Sequence, residues 1–98
     1  LFCHHPFNPA VPRCRVRNAE KVLALFSKHR LRLVAAGHWH GNLVERRDGV
    51  LFTTTACCSS TRFNVDLTLT KGFRLFHFAD GAVETEFVPV ARAAAVEN

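Results

Sequence analysis

Methionine and tyrosine are absent from this sequence, tryptophan occurs once, and no C-x-x-C pair joins its four cysteines. Each absence closes a class. Without cysteines at zinc-knuckle spacing, a cysteine-rich structural zinc fold has no support. Adjacent Cys57-Cys58 cannot easily bridge each other, and no extracellular signal accompanies Cys3 and Cys14. Buried free thiols in a reducing compartment are therefore expected, which points to a cytoplasmic chain. No stretch approaches the roughly 20 apolar residues that span a bilayer, which argues against a membrane protein. No basic segment followed by an apolar core stands at the N-terminus, so no signal peptide is visible. The chain opens at Leu1-Phe2-Cys3 without an initiator Met and already inside an apolar stretch. A processed chain, or a piece of a longer one, is the expectation.

What is present looks globular. Of 98 residues, 48% are apolar and 21% charged, which excludes disorder, collagen and a disulfide-dense miniprotein and leaves room for one domain. The net charge of +5 is concentrated locally. Arg13, Arg15, Arg17, Lys21, Lys28, Arg30 and Arg32 face only Glu20 in their stretch. Such a run attracts phosphate-bearing ligands, but it equally describes the solvated face of a helix with basic flanks. With Phe26 as its only aromatic, it is a poor stacking platform for single-stranded nucleic acid, and a nucleic-acid partner is disfavoured.

Leu1 to Cys3 reads as the end of a strand, stopped by His4-His5-Pro6, and Pro6, Pro9 and Pro12 then impose an extended loop. Helix 18–30 follows, with Asn18 as N-cap, Glu20 in the first turn, and Val22, Leu23, Leu25 and Phe26 on its apolar face. Residues 31–36 have strand length and end at Gly37. Asp48-Gly49 and Asp80-Gly81 each mark a hairpin turn. Between these hairpins, residues 53–62 are small and polar and read as a loop. In the second hairpin Val83, Thr85 and Phe87 alternate with Glu84 and Glu86, a half-buried pattern. Phe73, Phe76 and Phe78 read as core, with Arg74 and His77 on the exposed face. The strand–helix–strand unit implies a right-handed crossover between parallel strands, and hence an α/β fold with a mixed sheet. Its strands are too few to bury both faces, so a partner layer is expected.

Four histidines, His4, His5, His38 and His40, fall at the carboxyl ends of the two expected parallel strands, where α/β sheets bind ligands. Imidazole suits zinc, iron, nickel or copper, and His38 and His40, one residue apart, can turn toward a common ion. Gly37 and Gly41 beside them permit close backbone approach. The bland alternative is a pair of ordinary histidines around a packed Trp39. A second histidine pair at a second strand end favours metal.

Gly37-His38-Trp39-His40, preceded by Leu33-Val34-Ala35-Ala36, resembles the G-H-x-H motif of calcineurin-like metallophosphoesterases. Phe2-Cys3-His4-His5-Pro6 resembles the preceding H-x-P motif of that family. The resemblance implies the C-terminal half of a four-layer α/β/β/α metallophosphoesterase sandwich with mixed sheets, over residues 1–90, with 91–98 as a tail. It implies a site for two metal ions (Fe, Mn or Zn). His4 and His38 would be ligands of the second metal, His40 of the first, and His5 would stand behind or beside them. Arg13 or Arg62 would offset phosphate charge at the mouth. The implied activity is two-metal activation of water for in-line attack on a phosphoester, cyclic nucleotides included.

The family's D-x-H, G-D-x-x and G-N-H-[ED] motifs are missing here. Asp48 and Asp80 sit in turns, and Glu84 and Glu86 on a late strand, so none replaces the bridging carboxylate. These 98 residues alone are therefore expected to be inactive, with no catalytic side chain assigned. Two other classes remain open: a non-catalytic zinc module using His4, His38, His40 and Cys3 or Cys57, and a basic nucleic-acid-binding domain.

Overall fold

The computed structural model describes residues 1–59 and 61–90. The expected tail, 91–98, lies outside the described residues. The elements are β1 (Phe2–Cys3), α1 (Ala19–Ala24), β2 (Leu33–Ala36), β3 (Val44–Arg47), β4 (Val50–Thr54), β5 (Gly72–Ala79) and β6 (Ala82–Pro89). The first four strands form one sheet in the order β1-β2-β4-β3, and β5 and β6 form a second of two strands. β2 runs parallel to both β1 and β4, while β3 is antiparallel to β4. The protein is thus mixed α/β with a mixed sheet, as the strand–helix–strand order implies. Among the described residues no helix is long and apolar enough to cross a membrane.

Register sorts the core. Val34 stands beside Phe52 and Leu33 beside Leu51 in the parallel pair, so each strand sends alternate residues to opposite faces. Val34 and Phe52 pack with Phe7 and Ala19 on the helix side. Leu33 and Leu51 pack with Val83 from β6 on the other side. The hairpin therefore supplies the covering layer for the second face, and the described layers are helix, sheet, hairpin. Val34 and Leu51, both almost fully buried, each contribute about 1.5–3 kcal/mol through that burial. An Arg46 guanidinium N–H donating to the Val83 carbonyl at 2.7 Å ties hairpin to sheet.

Both Asp-Gly turns hold two residues with positive φ: 51° and 78° at Asp48-Gly49, 50° and 75° at Asp80-Gly81. That is the type I′ signature which matches strand twist, so the hairpins form as the sequence predicts.

Four expectations are corrected. The helix spans Ala19–Ala24 rather than 18–30, and its carboxyl end loosens into tighter turns, Leu25 bonding Val22 and Phe26 bonding Leu23. Only Ala19 is buried, Val22 and Leu23 are half-buried, and Leu25 is 74% exposed, so little packing sustains a longer helix. Asn18 accepts the Val22 N–H through its carbonyl, as an N-cap does, but makes no side-chain capping bond. Thr53 and Thr54, expected in a loop, finish β4 and are buried.

The third correction concerns β5. Residues 72, 74 and 76 are the half-buried ones, so Arg74 faces inward while Phe73 and Leu75 face out with His77. Arg74 manages burial by donating to Asn42 Oδ1 at 3.1 Å and by lying over the Phe87 ring. Phe73 is exposed rather than core, since a two-stranded layer has an uncovered face, and Phe78, on the inward side with Phe76, is exposed too, near the hairpin turn where the core cluster ends. Finally, of the thiols only Cys57 is buried; Cys58 is exposed and Cys3 and Cys14 are half-buried.

Candidate metal centre

The two histidine segments meet because β1 and β2 are parallel and in register, Phe2 beside Ala35 and Cys3 beside Ala36. Both chains therefore leave the sheet at the same edge. The Gly37 N–H donates to the His4 carbonyl at 3.0 Å, extending the pairing one step past the strands.

Beyond that bond the backbone departs from strand geometry. His38 and His40 both occupy the left-handed region, with φ of 62° and 57°. Non-glycine residues rarely do so, and such positions cluster at ligand sites where surrounding structure enforces them. The enforcing contacts are identifiable. Trp39 N–H donates to the Gly37 carbonyl at 2.7 Å, and Val65 N–H to the His40 carbonyl at 2.9 Å. The buried Thr54 hydroxyl donates to the Gly41 carbonyl and accepts the Leu43 N–H at 3.1 Å. Asn42 Oδ1 accepts from both Ala56 N–H and Arg74. Trp39 packs over Gly41 so closely that a Cβ there would lie 2.7 Å from the indole, so position 41 requires glycine.

His4 Nε2 lies 2.9 Å from His38 Nδ1, a hydrogen bond whose direction depends on the tautomers. The His5 ring lies 4.3 Å from that of His38 and 4.9 Å from that of His4. Nitrogens of His4, His5 and His38 all fall within 4.8 Å of one another, and all three side chains are exposed. The site residue His40 is half-buried and outside this group, anchored instead through its backbone. His5, expected beside the site, is inside the group.

Partial desolvation, then the neighbouring His5, His4 and His40, hold the His38 pKa below its ordinary value of 6.5. A lowered value keeps imidazole neutral, which is the form that binds metal.

The other sequence candidates stand apart. Among the described residues no carboxylate or thiol joins the histidine group. The Cys3 thiol donates to the Ala35 carbonyl, and its partial burial raises its pKa, which disfavours a thiolate ligand. Cys57 accepts the Ser59 N–H at its sulfur. Arg13 and Arg62 are both exposed. Arg15 serves the fold, donating to the Phe7 carbonyl and pairing with Glu20. A cavity of about 570 Å³ lies between α1 and β4, lined by Leu23, Phe26 and Phe52 and by none of the three clustered histidines. Donor chemistry, not cavity size, marks the site.

Neither a family model nor a curated protein sequence matches the chain. Among solved structures, it is similar to a single mutant of Vps29 from Entamoeba histolytica. The identity is 16% and the TM-score 0.44, over 85% of this chain and 52% of that one. It is similar too to wild-type Vps29 from the same organism complexed with Zn2+, at 18% identity and a TM-score of 0.44, over 83% of this chain and 51% of that one. The chain thus spans about half the length of the solved structures it matches.

Proposed function

We propose that this chain carries part of the metal site of a calcineurin-like metallophosphoesterase acting on a phosphoester, with cyclic nucleotides in range. The observation that supports the reading most is the 2.9 Å approach of His4 Nε2 to His38 Nδ1. Those are the two residues that the H-x-P and G-H-x-H resemblance assigns to one metal, and they meet at the carboxyl ends of parallel strands.

The donor set fits one ion. Three imidazoles suit Zn or Fe better than Mn, and two nitrogens on one tetrahedral zinc lie about 3.3 Å apart, close to the observed spacing. It does not fit two ions, because among the described residues no carboxylate is within reach to bridge them. An ion held here supplies Lewis-acid polarisation of a phosphoryl oxygen. The chain's own part is to present these imidazoles, that of His38 from a turn braced by Thr54, Asn42 and Val65. His40, whose carbonyl is held by Val65, remains our proposed ligand of a first metal completed by groups outside this chain. The free thiols support a cytoplasmic setting for the protein.

The complete gene product should hydrolyse bis-p-nitrophenyl phosphate in the presence of Zn2+ or Mn2+, and the 98-residue chain alone should not. Turnover by the isolated chain would refute the half-site reading. Absence of turnover in both, with one tightly held zinc, would favour the non-catalytic zinc module, which a carboxylate-free histidine group also fits.

A further inference from the structure

We infer that the metal this chain binds is held by His4, His5 and His38, with His5 a third ligand of the ion that sequence pattern gives to His4 and His38 alone. The inference deepens the metal-centre reading above and rests on it.

Three observations carry it. The nitrogens of His4, His5 and His38 form a closed group, each within 4.8 Å of the others, and His40 is not part of it. The rings also crowd together: their centroids lie 4.3–4.9 Å apart, with His4 nearly perpendicular to both others, at 81° to His38 and 87° to His5, and His5 tilted 37° to His38. Lastly, all three side chains are exposed, so closing the widest pair to the roughly 3.3 Å edge of a tetrahedral zinc needs rotation about side-chain bonds and no repacking.

A structural role explains this grouping poorly. His77, another exposed histidine, lies against Glu86 at 3.2 Å, whereas among the described residues no carboxylate joins these three. Among the described residues the side chains of His4, His5 and His38 have only one another, with the His4–His38 approach as their hydrogen bond. The chemistry that uses three imidazoles together is coordination of a borderline-soft divalent ion, with the remaining positions open to solvent or substrate.

The test is a zinc titration of the 98-residue chain against a chromogenic chelator, comparing wild type with His4→Ala, His5→Ala and His40→Ala. His4→Ala and His5→Ala should weaken zinc by at least about tenfold, and His40→Ala by less than about threefold. The converse pattern, or equal losses in His5→Ala and His40→Ala, overturns the inference and leaves the metal-centre reading standing. A wild-type chain that takes up no zinc overturns both. Should His5→Ala misfold, imidazole 15N shifts of the wild-type chain during the titration serve instead. The rings of His4, His5 and His38 should move while that of His40 stays; movement of His40 without His5 is the contrary result.

Discussion

His4 Nε2 stands 2.9 Å from His38 Nδ1 although 34 positions separate them in the chain. The parallel pairing of β1 with β2 creates this proximity, and the Gly37 N–H bond to the His4 carbonyl fixes it beyond the strand ends. A single sheet register thus brings the two histidine segments together.

Zinc should therefore stabilise the folded chain. At a free concentration of about one hundred times the dissociation constant, linkage gives about 2.7 kcal/mol. Thermal melts with and without zinc should show that gain in wild type and none in His38→Ala. A zinc-dependent shift that persists in His38→Ala would place the ion elsewhere.

Core and helix should respond unequally to truncation. Leu51→Ala, at a position 1% exposed, should lose about 2–5 kcal/mol. Leu25→Ala, at a position 74% exposed, should change stability by no more than about 0.5 kcal/mol. Urea unfolding measures both. A large loss at Leu25 would restore the longer amphipathic helix.

Thr54→Val tests the support of the histidine turn. Its hydroxyl serves the Gly41 carbonyl and the Leu43 N–H together, and both would be left without it. The expected loss is about 1–3 kcal/mol in stability, accompanied by weaker zinc binding in the same titration. Reduced stability with undiminished zinc affinity would show that the turn holds its shape without Thr54.

Acid should weaken the metal-free fold through His38. Its folded pKa is lowered, first by desolvation and then by its histidine neighbours, so the unfolded chain binds protons more readily. The contribution is present above the ordinary value of 6.5 and fades as pH falls through the lowered folded value. Melting in a chelator from about pH 7.5 to pH 5 should show less decline for His38→Gln than for wild type. Equal slopes would contradict the assignment.

Much of this fold is legible in the sequence, for local reasons. Asp48-Gly49 and Asp80-Gly81 encode their turns in their own backbone preferences, and residues 33–36 encode a strand by apolar content and a glycine stop. What the sequence hides is set by distant partners. Thr53 and Thr54 read as loop residues because their polarity is visible, whereas the pairing with Ala35 and Ala36 that draws them into β4 is not. Periodicity shows which side of α1 is apolar, but only packing decides where the helix stops. Arg74 looks solvent-facing until Asn42 and Phe87 appear around it. His5 follows the ligand position of the H-x-P motif, so the resemblance sets it beside the site rather than in it. Since β1 ends at Cys3 and the chain bends at His4-His5, adjacent rings can share one side.

The paired left-handed residues at 38 and 40 set the interests of folding and binding against each other. Glycine or asparagine would occupy that backbone with less strain than histidine. A library randomised at both positions and sorted for heat resistance alone should drift toward those two residues and lose its imidazole at 38. Histidine would be retained there only when the sort also rewards capture of an ion, which makes the drift itself a readout of what the turn is for.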